Sequence, residues 1–109
     1  MNAQPERPTD TAPLVLDGEL TIYTVAETAT RLRAHLANRR VCDLDLSEVS
    51  ELDGAGLQLL LWLRESLRTR GGTLRLVAHS TVVAEVLSLL HLMALFDLDS
   101  AGSAVGGAS

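Results

Sequence analysis

A chain of 109 residues, 47% of them hydrophobic, has the size and the apolar content of one independently folding domain. Its 14 acidic residues outnumber 9 basic ones for a net charge of -5, and no Lys/Arg cluster is present to neutralise phosphates, so nucleic acid and an anionic membrane surface are poor partners. Every basic residue is Arg, and the absence of Lys excludes mechanisms that need an amine as Schiff base, phosphate ligand or catalytic base.

Residues 1–13 have little to bury and are expected to be a flexible segment; they lack the basic start and apolar run of a signal peptide. No stretch approaches the roughly 20 apolar residues that span a bilayer, so no direct membrane insertion and a cytoplasmic location are expected. The folded domain is expected over residues 14–100, with a flexible Gly/Ala/Ser tail over 101–109.

Leu14-Val15-Leu16 and Leu20-Thr21-Ile22-Tyr23 flank Asp17-Gly18-Glu19, and an Asp-Gly pair between two apolar runs predicts an antiparallel hairpin. Thr24 with Glu27 fits a capping box, after which Val25, Ala29, Leu32 and Leu36 recur at helical spacing up to Arg39-Arg40. Val41 to Leu46 follows as a strand with Cys42, Leu44 and Leu46 on one face and Asp43 and Asp45 on the other. Cys42 therefore reads as a buried thiol rather than a nucleophile.

A loop is expected over Ser47 to Asp53, then a second helix from Gly54 to Arg70 stopped by Gly71-Gly72. Its core-facing stripe is Gly56, Leu59, Leu60, Leu63 and Leu67, which leaves Leu57, Leu61 and Trp62 near the edges and Trp62 as a candidate partner contact. Leu74, Leu76 and Ala78 mark another strand, with Arg75 on its opposite face placed to pair with Asp43 or Asp45. Ser80 or Thr81 caps a third helix bearing Val83, Val86, Leu87 and Leu90, and Leu95 to Leu98 reads as a short last strand.

The order strand, strand, helix, strand, helix, strand, helix, strand predicts an α/β domain with a mixed sheet, its first hairpin antiparallel and the remainder largely parallel. Because the strands alternate rather than run continuously apolar, all three helices are expected on one face. The sheet edges leave room for a homodimer.

Within this pattern the run from Asp45 to Leu61 (Asp-Leu-Ser, a short polar segment, Asp53, Gly54-Ala55-Gly56, then Leu57-Gln58 opening a helix) resembles the signature of STAS domains, the fold of bacterial anti-sigma factor antagonists. The element order resembles that family over about residues 14–100. The resemblance implies a non-enzymatic protein-binding module without cofactor, with Ser47, Ser50, Asp53, Gly54, Ala55, Gly56, Leu57 and Gln58 at the partner surface. Asp53 also has a reading of its own, as the N-cap of the second helix, and Gly56, one turn in, predicts close backbone packing or a flat surface.

In antagonists of this family a Ser or Thr commonly follows the Asp and is phosphorylated by a partner kinase. Here Gly54 stands at that position, so no phosphorylation is expected there, although Ser47 and Ser50 lie nearby. The resemblance leaves three partner classes open: an anti-sigma factor or serine kinase, the ATPase of a phospholipid-transporting ABC system, or a signalling kinase of a chemotaxis or two-component operon.

Other chemistries fit less well. The five carboxylates between Asp43 and Asp53 read as a solvated acidic surface rather than a metal site, and a phospho-acceptor reading lacks the late lysine of receiver domains. The turn Asp53-Gly54-Ala55-Gly56 lacks the lysine of a phosphate-binding loop, and Asp53 would repel an anion. His35, His79 and His91 have no metal or triad spacing, and His91 is expected near a helix C-terminus.

Overall fold

A computed structural model describes residues 12–96, so the expected end segments lie largely outside the described residues. Three strands form one sheet in the order β1-β2-β3: β1 (Leu14–Leu20), β2 (Val41–Leu52) and β3 (Thr73–His79). Both pairings are parallel. The helices are α1 (Val25–Leu36), α2 (Gly54–Thr69) and α3 (Thr81–Leu89), followed by a 3-10 turn at Ala94–Phe96.

The antiparallel hairpin does not form, and the described sheet is parallel rather than mixed. Asp17-Gly18 lies inside one continuous strand, where Gly18 takes φ +75° beside a shift in the register with β2. Glycine's tolerance of positive φ thus serves an irregularity in the ladder, not a reversal of the chain. Leu16 and Leu20 both point into the core.

The segment after Leu20 is a turn held by two threonines. The Thr21 N–H donates to Thr24 Oγ1 (3.0 Å), which in turn donates to the Glu19 carbonyl (2.9 Å), and the Tyr23 N–H donates to Thr21 Oγ1 (3.3 Å). Thr24 occupies the N-cap of α1, but its hydroxyl is committed to this turn and makes no cap bond, so the expected capping box with Glu27 is absent. On α1 the buried positions include Leu32 and Leu36, with Val25 and Ala29 packed against the same core.

β2 reads in two halves. From Val41 to Leu46 it alternates as expected, with Cys42, Leu44 and Leu46 fully buried. The expected loop after Leu46 is instead a continuation of the strand to Leu52. Twice in this second half β2 runs one residue ahead of β1, as Val15/Asp17 pair with Asp45/Glu48 and Gly18/Glu19 with Val49/Glu51. Such bulges break the two-residue period, which is why the inward residues are Leu46 and then Val49.

The α2 stripe is the one expected: Gly56, Leu59, Leu60, Leu63 and Leu67 are buried, and Leu57 and Leu61 pack partly against the core. The helix stops where the Gly71 and Gly72 N–H groups donate to the Arg68 and Leu67 carbonyls (3.0 and 2.7 Å). Ser80 caps α3 by accepting from the Val83 N–H (3.2 Å), and Val83 and Leu87 are buried, whereas Leu90 is exposed. His91, at φ 57°, ends α3 through backbone bonds of the same kind, with the Leu92 N–H donating to the Leu87 carbonyl (2.7 Å).

The expected strand from Leu95 to Leu98 is not found in the residues described. Leu95 and Phe96 belong to the 3-10 turn, whose Leu95 and Phe96 N–H groups donate to the Leu92 and Met93 carbonyls, while Asp97 and Leu98 lie outside the described residues. Phe96 is buried in the core.

All buried apolar residues, from strands and helices alike, join one cluster. The other face of the sheet carries exposed Val15 and Val77 and the bidentate pair of Arg75 with Asp43, 2.6 and 2.8 Å. The helices therefore cover one face. Burial raises the Cys42 thiol to about 11, with the Asp43 charge adding to the effect, so it stays protonated at neutral pH.

Candidate partner-binding surface

In a parallel sheet every strand delivers its C-terminal end, and the start of the following helix, to the same side of the molecule. The Thr21–Thr24 turn, the Asp53–Gly54 entry into α2 and the Ser80 entry into α3 accordingly share one end.

Asp53 joins two of these elements. Its Oδ1 accepts the Gly56 N–H (2.9 Å), capping α2, and its Oδ2 accepts the Ile22 N–H (3.0 Å) from the turn after β1. Its own N–H donates to the Leu20 carbonyl (3.3 Å). The Gly56 and Ile22 N–H groups hold the Asp53 carboxyl below the usual aspartate value, so it is a fixed anion at neutral pH.

Gly56 closes the same junction. A Cβ there would overlap the Leu20 carbonyl oxygen and lie 2.8 Å from the Leu20 carbonyl carbon and 2.9 Å from Leu52 Cδ1. Of the two expectations for this glycine, close backbone packing is the one realised. Gly54, two residues earlier, is the opposite case: it is exposed, and a Cβ there would meet nothing within 4 Å.

The other sequence-derived site residues fall in different places. Ser50 and Asp53 line a shallow depression of about 470 Å³ together with Thr21, Tyr23, Leu52 and Val82. Gln58 is exposed on α2, and Ala55 and Leu57 are half-buried. Ser47 is exposed on β2, but its N–H and its hydroxyl both donate to Asp45 Oδ1 (2.8 and 2.6 Å), which holds the Asp45 carboxyl low. Trp62 sits eight residues beyond Gly54, about 12 Å along the helix axis, in a groove between α1 and α2 with the Arg33 guanidinium 5.5 Å above its ring.

Two residues at this end were not singled out from the sequence. Ile22 and Tyr23 are 62% and 88% exposed, presented by the threonine-held turn beside Asp53. The signal was the pair of threonines around Ile22-Tyr23, which favours a hydroxyl-bonded turn over a strand.

A capped helix tip with an exposed glycine thus stands beside a turn that exposes an aromatic ring, at the C-terminal end of a parallel sheet. A family model described as "Mlab, STAS domain" matches residues 3–100. The chain belongs to the STAS domain family. Comparison with curated proteins gives no match. STAS domains in general mediate protein–protein interaction, and among the described residues no STAS helix here is long and apolar enough to cross a membrane.

Proposed function

We propose that this STAS domain is a non-enzymatic regulator of the anti-sigma factor antagonist type, which binds a protein partner through the N-terminal tip of α2 and works without the usual phospho-switch. The observation that carries this reading is the contrast within the tip. Asp53 and Gly56 lock it to the end of β1, while Gly54, at the position where antagonists commonly carry a phosphorylated Ser or Thr, faces open space and has no hydroxyl. The tip is thereby constitutively bare, and binding is not regulated at this residue. Robust phosphorylation of the chain by a partner kinase would count against it.

The family description favours a second reading, in which the chain is the STAS subunit of a phospholipid-transporting ABC system and its partner is the ATPase. Both readings use the same surface and are separated by the partner. An affinity pull-down with the wild type and a Gly54→Glu variant, with mass spectrometry of the bound proteins, tests them together. One kinase, anti-sigma factor or ATPase bound by the wild type and lost from the variant supports the tip as the interface and names the pathway. Equal recovery by both excludes the tip.

A further inference from the structure

The depression beside the tip combines an apolar part with the hydroxyl residues Thr21 and Ser50 and an acidic rim. Tyr23, Leu52 and Val82 line it, and the exposed Ile22 adjoins it. Glu19 and Glu51 stand on the exposed side of β1 and β2 at its edge, with Asp53 between the strand ends and α2. No Arg or His is part of its lining.

Six arginines among the described residues are engaged or placed away from these charges. Arg75 holds Asp43, Arg68 holds Glu65, Arg31 donates to the Val15 carbonyl, and Arg64 donates to the Leu95 carbonyl. Arg33 and Arg70 line the separate groove at Trp62. Among the described residues no ion pair forms with Glu19 or Glu51. A partly apolar hollow with an exposed aromatic ring, rimmed by unbalanced carboxylates, is complementary to an apolar side chain flanked by cations.

We infer that the partner seats a segment here that inserts one aliphatic or aromatic side chain against Tyr23 and Val82 and brings Arg or Lys residues to Glu19 and Glu51. This rests on the protein-binding reading of the α2 tip and adds the chemistry of the segment that is bound. The apolar anchor supplies residence, and the charges supply steering and orientation, so binding weakens with salt.

Two short synthetic peptides of equal length, one alternating Arg and Leu and one alternating Glu and Leu, serve as probes for the isotope-labelled full chain, read by amide chemical shifts. The Arg/Leu peptide is expected to shift Ile22, Tyr23, Glu51, Asp53 and Val82 saturably. Its affinity should fall about fivefold between about 0.05 and 0.3 M salt, whereas the Glu/Leu peptide should not bind. Glu19→Gln/Glu51→Gln is expected to weaken it about fivefold more than Asp43→Asn/Glu65→Gln, which removes the same net charge away from the depression. Glutamine at residue 19 keeps the acceptor that Thr21 Oγ1 uses, so the turn is retained.

Equal binding of both peptides, binding of neither, shifts centred elsewhere, or equal losses in the two double variants would each overturn the inference. Failure here with the native partner still lost from Gly54→Glu leaves the tip reading standing. Success here with the partner retained by Gly54→Glu would remove the tip reading and keep the depression.

Discussion

The first turn of α2 has two sides that differ in what they ask of the sequence. On the inner side Gly56 is buried against the Leu20 carbonyl and Leu52, where a single methyl group has no space. On the outer side Gly54 is exposed and would accept a side chain freely. Two residues of the same type thus have unrelated causes: one is required by the fold, and the other leaves a surface empty. Folding pressure cannot explain Gly54, because glycine at a helix start is no better a former than serine or alanine.

The largest effect that would sharpen this contrast is expected from Gly56→Ala. The obstructing Leu20 atoms are backbone, so the strand end or the helix must shift, and stability should fall by about 3 kcal/mol in urea denaturation despite alanine's better helix propensity. An unchanged unfolding midpoint would mean that the two sides do not differ as described.

Asp53→Ala should come next, because it removes both the cap of α2 and the bond that ties α2 to the Ile22 turn. The thermal midpoint should drop by several degrees at neutral pH. The folded Asp53 carboxyl is held below its ordinary value, so its contribution is present above that ordinary value and is lost as pH falls through the lowered one. The gap between wild type and variant is therefore predicted to narrow in acid. A gap that is constant from neutral pH to below the usual aspartate range would show that the carboxylate's charge is not what holds the junction.

Tyr23→Ala tests the outer side. With the residue 88% exposed, the change should alter stability by less than about 0.5 kcal/mol while weakening partner binding by about tenfold, the loss expected of an aromatic anchor. The smallest effect is expected from Gly54→Ser, which should leave the thermal midpoint within about a degree of wild type, since its side chain enters open space. Binding data for the serine variant would also show whether a hydroxyl alone disturbs the contact.

How far the sequence was legible varied along single elements. The α2 stripe of Gly56, Leu59, Leu60, Leu63 and Leu67 was readable because an uninterrupted helix keeps its period, and the first half of β2 was readable for the same reason. The second half of β2 was not. Two extra residues relative to β1 change the spacing of inward side chains, and the polar run Ser47-Glu48 then resembles a loop. The Asp17-Gly18 pair misled because a bulged parallel strand and a hairpin turn use the same glycine property.

Within the candidate surface, the cap at Asp53 and the tightness at Gly56 followed from position in a helix start. The exposure of Ile22 and Tyr23 did not, since apolar residues after a strand ordinarily extend it. The turn is tied to α2 by long-range contacts, the Ile22 N–H donating to Asp53 and the Asp53 N–H donating to the Leu20 carbonyl. Trp62, a candidate partner contact from its place at the edge of the α2 stripe, lies in a different groove from the tip with Arg33 above it.

The most direct test of a surface kept bare for a partner is the dissociation constant of the purified native partner for Gly54→Glu against wild type, measured alongside the thermal midpoint. A carboxylate forced into a contact that has no place for it should weaken binding roughly thirtyfold or more at unchanged thermal midpoint. Affinity within about twofold of wild type, at the same midpoint, would contradict the account and place the partner elsewhere on the molecule.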